Sequence, residues 1–281
     1  MKKLLIILLS VFVITTSSAD TSRIKDKFFS SIESFFENNF EDTDFSIKSK
    51  EGFKPEIGIL TFKPINDTNE SFSFFQGSFF THDGDRETLN LGFGKRFLSS
   101  DETFIFGLNA FYDREIDFNH QRGSIGGEIK SSILELNTNH YFAISDQRTG
   151  KNNVEEEVAD GYDLEIGAHV PYIPTAKIFA KIFEYEIPDG SDYEGIEYSS
   201  NIGIPNSGLN IELGIKEFGN SSYDDHWFVN LTYNMSKTNA EKFISDEPYK
   251  KVSMKDRKYE KVRRENLILK SKSFSVKAGG F

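Results

Sequence analysis

The chain has 281 residues, no cysteine and a formal net charge of −11. Without cysteine it can hold neither a disulfide framework nor a thiolate metal site. An acidic exported chain is also poorly matched to the phosphate backbone, so we expect no nucleic-acid partner.

The first residues have the pattern of a targeting segment. Lys2 and Lys3 precede an apolar run over residues 4–14, and small residues follow at 17–19. This order is typical of a cleaved signal peptide and predicts one at residues 1–19. A retained N-terminal anchor is the alternative, but the apolar run is short for a bilayer crossing.

Residues 20–43 are predicted to form a short N-terminal periplasmic helix. Apolar side chains recur there every three or four residues and would form one stripe: Ile24, Phe28, Ile32, Phe35 and Phe36. The helix could dock at the mouth of the domain that follows. The simpler interpretation, which we favour, is an amphipathic helix that only packs.

Residues 44–236 change to a period of two, which predicts strands. The clearest case is the segment 88–97, where one face is apolar (Leu89, Leu91, Phe93, Phe97) and the other polar or glycine (Asn90, Gly92, Gly94, Arg96). Twelve segments have strand character, near residues 45–49, 56–62, 72–80, 88–97, 104–113, 124–129, 134–144, 162–170, 177–187, 196–204, 209–218 and 227–235. Segments 72–80 and 177–187 have aromatic residues on both faces and give no orientation.

The connections between these segments alternate in length. They have 6, 7, 8, 16, 8 and 7 residues on one side and 6, 4, 3, 5 and 4 on the other. Outer-membrane barrels sort extracellular loops from periplasmic turns in this way. Phe97, Tyr112, Tyr172 and Trp227 stand near strand ends, where interfacial aromatic girdles occur. We therefore predict an all-β fold, a twelve-stranded antiparallel transmembrane β-barrel, with a soluble β-sandwich as the alternative.

Charge divides the chain into an acidic barrel and a basic tail. Residues 237–281 contain 13 Lys and Arg against 6 Asp and Glu, a net charge of +7, and residues 20–236 carry −20. Six acidic residues fall on the polar faces of strands: Glu128, Glu135, Asp163, Glu165, Glu197 and Glu212. Confined carboxylates need cations. The tail can supply them from a stretch with helical character, 253–266, through Lys255, Arg257, Lys258, Lys261, Arg263 and Arg264.

Five segments carry a family resemblance: DRETLNLGFGKRF (85–97), FGLNAFYD (106–113), RGSIGGE (122–128), DGYDL (160–164) and RRENLIL (263–269). They resemble the β-domain of the intimin/invasin family, the inverse autotransporters. The resemblance implies a barrel in the Gram-negative outer membrane that carries an attached passenger across it. It also implies that the basic linker, residues 237–281, threads the pore as a linker helix and plugs it. The sequence shows no recognisable passenger domain, whereas full-length relatives continue into immunoglobulin-like adhesin domains.

Several partners and alternatives follow from this hypothesis. We expect contact with outer-membrane lipid, with the barrel-assembly machinery and periplasmic chaperones, and with a separate passenger or a host surface ligand. The first alternative function is a porin-like diffusion channel with an acidic lumen. The alternative for the tail is a disordered basic segment that stays in the periplasm and touches anionic lipid or cell wall.

Enzymatic chemistry has no motif in this sequence. The five histidines (His82, His120, His140, His169 and His226) lack metal-ligand spacing, and no motif supports a nucleophile pair of His140 with a serine on a neighbouring strand. We therefore predict no catalytic, cofactor-binding or metal residues and no cofactor. The paired glycines at 92 and 94, and at 126 and 127, are expected to make room for the threaded segment or to relieve crowding inside the barrel.

Overall fold

The computed structural model describes residues 42–68, 70–84, 86–188, 190–236, 239–240, 242–249 and 253–271. The predicted signal peptide (1–19) and residues 20–41 of the predicted N-terminal helix lie outside the described residues. Residues 42 and 43, the last two of that predicted helix, belong instead to the first strand, where they pair with a neighbouring strand.

Fourteen strands are described: β1 (Asp42–Lys50), β2 (Glu56–Asp67), β3 (Ser71–His82), β4 (Arg86–Leu98), β5 (Phe104–Glu115), β6 (Gln121–Ser131), β7 (Leu134–Ala143), β8 (Arg148–Thr149), β9 (Glu155–Glu156), β10 (Asp160–His169), β11 (Ala176–Glu186), β12 (Tyr193–Gly203), β13 (Leu209–Phe218) and β14 (His226–Asn234). All except β8 and β9 form one closed antiparallel barrel, in which β1 pairs with β14. The predicted twelve-stranded antiparallel barrel is therefore confirmed. Strands β8 and β9 form a small hairpin within the connection from β7 to β10.

The barrel has two distinct ends. We call the end that carries the 16-residue connection 144–159 the long-loop end, and the opposite end the short-turn end. Several strands run further than their alternation predicts. As a result, the connection 83–85 at the long-loop end has three residues, so the sorting of loops by length is less sharp than the sequence indicates.

Side chains alternate strictly between the outside and the lumen. On β5, Leu108 is 66% exposed and faces outward, whereas Asp113 on the opposite face of the same strand is fully buried in the lumen. Outward side chains are mainly apolar, and the charged side chains lie mainly in the lumen, which is the arrangement of a barrel in lipid. The two segments that the sequence could not orient also alternate, but their inward faces carry aromatic rings, such as Phe74 of β3 and Phe183 of β11.

Helical structure is minimal in the described part of the chain. It consists of two 3₁₀ turns, Lys151–Asn153 and Asp256–Tyr259. No helix among the described residues is long and apolar enough to cross a bilayer. The predicted linker helix over 253–266 is therefore wrong, apart from that single turn, and the reason lies in the lumen contacts described below.

Two lumen glycines of β4 accommodate aromatic rings of the neighbouring strands. A Cβ added at Gly92 would lie 2.2 Å from the ring of Phe111 on β5, and one at Gly94 would lie 2.2 Å from Phe74 on β3. Such distances are far below van der Waals contact. Of the two roles expected for these glycines, relief of crowding is the one that matches these contacts.

This packing makes a stability prediction. Substituting Gly92→Ala should destabilise the barrel by about 1–3 kcal/mol, because the new methyl group overlaps the Phe111 ring. Gly127→Ala is the matched control, since its added Cβ would meet nothing closer than 3.6 Å. The measurement is the denaturant midpoint of the heat-modifiable gel shift in detergent. Equal midpoints for the two variants would contradict the proposed overlap.

Candidate functional site

Residues 253–271 of the tail lie in the lumen of the barrel and contact its wall. We call these residues the linker segment. Three contacts mark its course from the short-turn end to the long-loop end: Met254 N with Glu102 O at 3.0 Å, Val262 N with Gln76 Oε1 at 2.8 Å, and Ala159 N with Leu269 O at 3.0 Å. Glu102 lies in a short turn, Gln76 in the middle of β3, and Ala159 in the longest loop.

Two buried arginines of the barrel hold the backbone of the linker segment. Arg96 donates to the carbonyl oxygens of Lys258 and Glu260, the latter at 2.6 Å. Arg122 donates to the carbonyl oxygens of Glu265 at 2.7 Å and Leu267 at 2.9 Å. Sequence analysis placed Arg96 on a polar face and Arg122 in a motif, but it assigned neither a role.

Other polar side chains of the barrel complete these backbone contacts: Asn139 donates to Arg263 O at 3.0 Å, Asn90 donates to Asn266 O at 2.9 Å, and the Tyr141 hydroxyl accepts from Glu265 N at 2.7 Å. A helix would use the same carbonyl and amide groups internally. Because the lumen wall supplies their partners, the linker segment stays largely extended, which explains why the predicted helix is wrong.

Three of the six predicted lumen carboxylates contact basic residues of the linker segment. Arg263 forms a two-point contact with Glu165, at 2.6 and 2.9 Å, and also reaches Glu212 at 3.0 Å. It therefore connects β10 to β13. Glu135 of β7 contacts Arg257 and, at 3.1 Å, Lys177.

The other three carboxylates have barrel partners instead. Glu128 contacts Arg96 and Lys130, and Glu197 lies 2.9 Å from Lys181. Asp163 accepts hydrogen bonds from the amide of Asn139 and the hydroxyl of Tyr141, both at 2.7 Å. For Glu128, Asp163 and Glu197 the described contacts thus differ from the predicted contact with the tail. The reason is that the barrel wall already supplies donors to each carboxylate: the adjacent strand does so for Asp163 and Glu197, whereas Glu128 of β6 is reached by Arg96 of β4 across Gly107 of β5.

The other predicted basic residues of the linker segment pair with acids that sequence analysis did not single out: Lys255 with Glu102, Lys258 with Asp67, Lys261 with Asp42 and Asp44 at 2.6 and 2.7 Å, and Arg264 with Asp113 at 2.6 Å. Asp113 is the most enclosed of these acids, and Arg122 binds it as well at 2.8 Å. The sequence did contain a signal for Asp113 as a lumen residue. Asp113 is the last residue of the segment 106–113 that carries the family resemblance, and it lies on the same polar face as Asn109.

The path from β14 to the linker segment follows the rim of the short-turn end. Asn206 N donates to Ala240 O at 3.3 Å, Tyr172 N to Pro248 O at 3.0 Å, and Ser245 N to Tyr172 O at 2.8 Å. Tyr172 and Asn206 have left-handed backbones, with φ of 63° and 55°, and Glu102 shares this feature with φ of 57°. These three turn residues all form main-chain hydrogen bonds with the tail.

The linker segment leaves part of the lumen unfilled. A cavity of about 210 Å³ lies beside it, lined among others by Lys48, Glu197, Glu212, Asn230 and Glu265. Since a water molecule occupies about 30 Å³ of liquid, the cavity is large enough for several waters. Its lining carries both signs of charge beside apolar side chains such as Phe80 and Val262.

Fold and lumen together define the class of protein. A closed twelve-stranded barrel with an apolar outer face and a charged, filled lumen is an outer-membrane β-barrel. The chain belongs to the inverse autotransporter family, because the model of the inverse autotransporter β-domain matches residues 14–266.

Relatives and solved structures agree with this assignment. The chain is 31% identical to intimin of Citrobacter freundii over 113 residues, which are 40% of this chain and 12% of intimin. It is 28% identical to the inverse autotransporter adhesin YeeJ of Escherichia coli K12 over 136 residues, 47% of this chain and 5% of YeeJ. A membrane-protein chain solved in work on in-meso crystallization has the same fold, with a TM-score of 0.67 at 20% identity, covering 82% of this chain and 99% of its own.

The chain spans less than half the length of the curated relatives it matches. Membership confirms the predicted resemblance to the intimin/invasin family and the predicted location in the outer membrane. The domain is an outer-membrane anchor and translocation domain, and its family comprises adhesins and translocation domains rather than enzymes.

The arginine contacts give a prediction about the linker segment. Arg96→Met should loosen the linker segment, because the carbonyl groups of Lys258 and Glu260 lose their donor and Glu128 loses a buried partner. Adjacent Lys95→Met is the matched control, since Lys95 is exposed on the outer face. We expect trypsin to cut within residues 255–264 at least about 10-fold faster in Arg96→Met than in the unsubstituted protein. This factor corresponds to a loss of about 1.4 kcal/mol in the free energy that holds the linker segment in the lumen. Equal cleavage in the two variants would remove Arg96 from this role.

Proposed function

We propose that this domain exports its own C-terminal continuation, with residues 253–271 as the linker that occupies the pore. The observation that carries the proposal is the order of the contacts. Residues of increasing number, from Met254 to Leu269, contact the short-turn end, the middle and the long-loop end in turn. That order is expected of one chain crossing the lumen once.

The same proposal fixes an orientation and the partners. We place the short-turn end in the periplasm and the long-loop end outside the cell, as outer-membrane barrels arrange them. A signal peptide at 1–19 would bring the chain to the periplasm, where chaperones and the barrel-assembly machinery would insert it into outer-membrane lipid. A passenger attached beyond residue 271, or a separate one, would then meet a host or surface ligand.

Charge complementarity supports a linker that stays in place. Seven basic side chains of the linker segment lie within 3 Å of lumen or rim carboxylates: Lys255, Arg257, Lys258, Lys261, Arg263, Arg264 and Lys270. Enclosed charges that lose a partner cost several kcal/mol each. Withdrawal of the linker would leave several lumen carboxylates without their basic partners at once, which favours the filled state.

The diffusion-channel alternative has one observation in its favour, the cavity beside the linker segment. Its lining residues Lys48, Glu197 and Glu212 would give it both signs of charge. However, the predicted acidic lumen is neutralised by basic residues at most positions. We therefore regard small-solute passage as secondary to the translocation role.

The first prediction of this proposal concerns the C-terminus. An epitope tag placed after Phe281 should be labelled by antibody in intact cells, because one pass through the lumen leads outward. A tag in the connection 99–103, at the short-turn end, is the control and should be labelled only after permeabilisation. A C-terminal tag that also needs permeabilisation would place the tail in the periplasm.

The second prediction concerns the plug. Deleting residues 253–281 should raise single-channel conductance in planar bilayers severalfold, because the lumen loses its main filling and gains unpaired carboxylates. The deletion should also favour cations over anions, since Glu135, Glu165 and Asp113 lose basic partners. Full-length and shortened proteins of equal conductance would favour the channel alternative.

A further inference from the structure

The end of the linker segment pairs as a short β-strand with the long loop 144–159. Ala159 N donates to Leu269 O at 3.0 Å, and Ser271 N donates to Glu157 O at 2.8 Å. Glu157 N donates in turn to the Ser271 hydroxyl at 2.9 Å. These bonds place Val158 opposite Lys270 in an antiparallel bridge. The chain therefore leaves the lumen as a strand added to this loop.

The loop strand that receives this addition is paired with β8 on its other edge. Thr149 of β8 lies opposite Glu155 of β9, and Gly150 N donates to Val154 O at 2.7 Å. Along a strand, the main-chain groups of successive residues point to opposite edges. Even-numbered residues of 154–159 therefore point toward the edge of β8, whereas the odd-numbered ones point toward the edge of the linker segment.

This second edge extends beyond the part that the linker segment covers. Glu155 presents its main-chain N–H and C=O to the same edge as Glu157, two residues further along. Val154 has extended backbone angles, with φ of −91° and ψ of 132°, so the loop strand continues to that residue. An edge of this kind accepts another extended chain through main-chain hydrogen bonds.

The sequence that follows the linker segment has the pattern of a strand. Residues 270–276 read KSKSFSV, and 272–276 of these lie outside the described residues. Serine alternates there with lysine, phenylalanine or valine, and this period of two is typical of a strand with two different faces. Continuing the register of Val158 with Lys270 brings Ser273 opposite Glu155 and Phe274 opposite Val154.

The side chains of the two strands are complementary in this register. Val154 is apolar and 37% exposed, and Phe274 would lie beside it. The loop strand carries three consecutive glutamates at 155–157, whereas the added strand carries Lys270 and Lys272. Apolar pairs and pairs of opposite charge both stabilise neighbouring strands.

We propose that residues 272–274 continue the added strand along residues 154–157, so that the loop 144–159 fixes the first exported residues to the rim of the barrel. This inference rests on the proposed passage of the linker segment through the pore, and it names the partner of the chain just beyond it. The exported continuation then starts from a fixed strand rather than from a free tether. Main-chain groups carry the contact, so proline is excluded at 273, where an N–H must reach Glu155.

The experiment uses pairs of introduced cysteines, because the chain has none of its own. Full-length protein in detergent is oxidised, unfolded and treated with a maleimide-linked polymer that retards only chains with free thiols on a gel. Glu155→Cys with Ser273→Cys should form at least about 5-fold more disulfide than the matched control, Glu155→Cys with Ser275→Cys. Opposed residues have Cα atoms about 5.5 Å apart, within disulfide range, whereas an offset of two residues gives about 7–8 Å, which is beyond it.

Glu157→Cys with Ser271→Cys is the reference pair, since these two residues are hydrogen-bonded in the structure. The heat-modifiable gel shift verifies that each variant folds. The inference is overturned if the 155/273 and 155/275 pairs form equal amounts of disulfide, or if the 155/273 pair forms none while the reference pair does. Either result leaves the proposed function intact, because export is tested by the C-terminal tag. Failure of the reference pair as well would contradict both.

Two further measurements complete the test. Glu155→Cys alone should form no more covalent dimer than Asp117→Cys, another exposed residue at the long-loop end. An excess of dimer would assign the edge to a second copy of the chain and overturn the inference. In the unsubstituted protein, the amide of Ser273 should exchange its hydrogen at least about 10-fold more slowly than that of Lys272, relative to their intrinsic rates, because only the former points to the loop. Equal protection of the two amides would also overturn it.

Discussion

The structure depends on one constraint, which is that every charge enclosed by the barrel needs a partner. The lumen wall and the linker segment meet this constraint jointly. Asp113 binds Arg122 of the wall and Arg264 of the linker segment, and Glu135 binds Lys177 of the wall and Arg257 of the linker segment. Without the linker segment these carboxylates would lose one of their two basic partners, so the linker segment stabilises the barrel interior in this form.

The same wall explains why the linker segment is extended. Arg96 and Arg122 satisfy its carbonyl groups, so a helix gains nothing there. An extended chain also covers more distance, at about 3.3 Å per residue against 1.5 Å in a helix. Residues 254–270 can therefore reach from one end of the barrel to the other without a helical piece. Helical character judged from composition could not reveal this, because the competing partners belong to strands more than 100 residues away.

Period-two alternation was sufficient to predict the twelve barrel strands and, outside segments 72–80 and 177–187, the face that turns inward. It was also sufficient to bring Glu165 and Glu212 to the same lumen as Arg263. Which charged residues pair with each other was not predictable, because these pairs depend on the register between neighbouring strands. Arg96 and Glu128 sit on β4 and β6 and meet across Gly107 of β5, to which both are paired. Lys181 and Glu197 are likewise direct neighbours only through the register of β11 with β12.

The linker segment is held at both ends, which fixes its register along the pore. At the short-turn end, three turn residues with left-handed backbones, Glu102, Tyr172 and Asn206, bond to the tail through main-chain groups. At the long-loop end, Lys270 faces Glu115, and Ser271 N donates to Glu157 O at 2.8 Å. A shift by one residue would bring Leu269 or Ser271 opposite Glu115 and leave a buried carboxylate without its ammonium partner. Main-chain bonds alone tolerate such a shift, because they do not depend on the side chain. The charged pairs, Lys270 with Glu115 at the long-loop end and Arg263 and Arg264 with Glu165 and Asp113 in the lumen, therefore select one register.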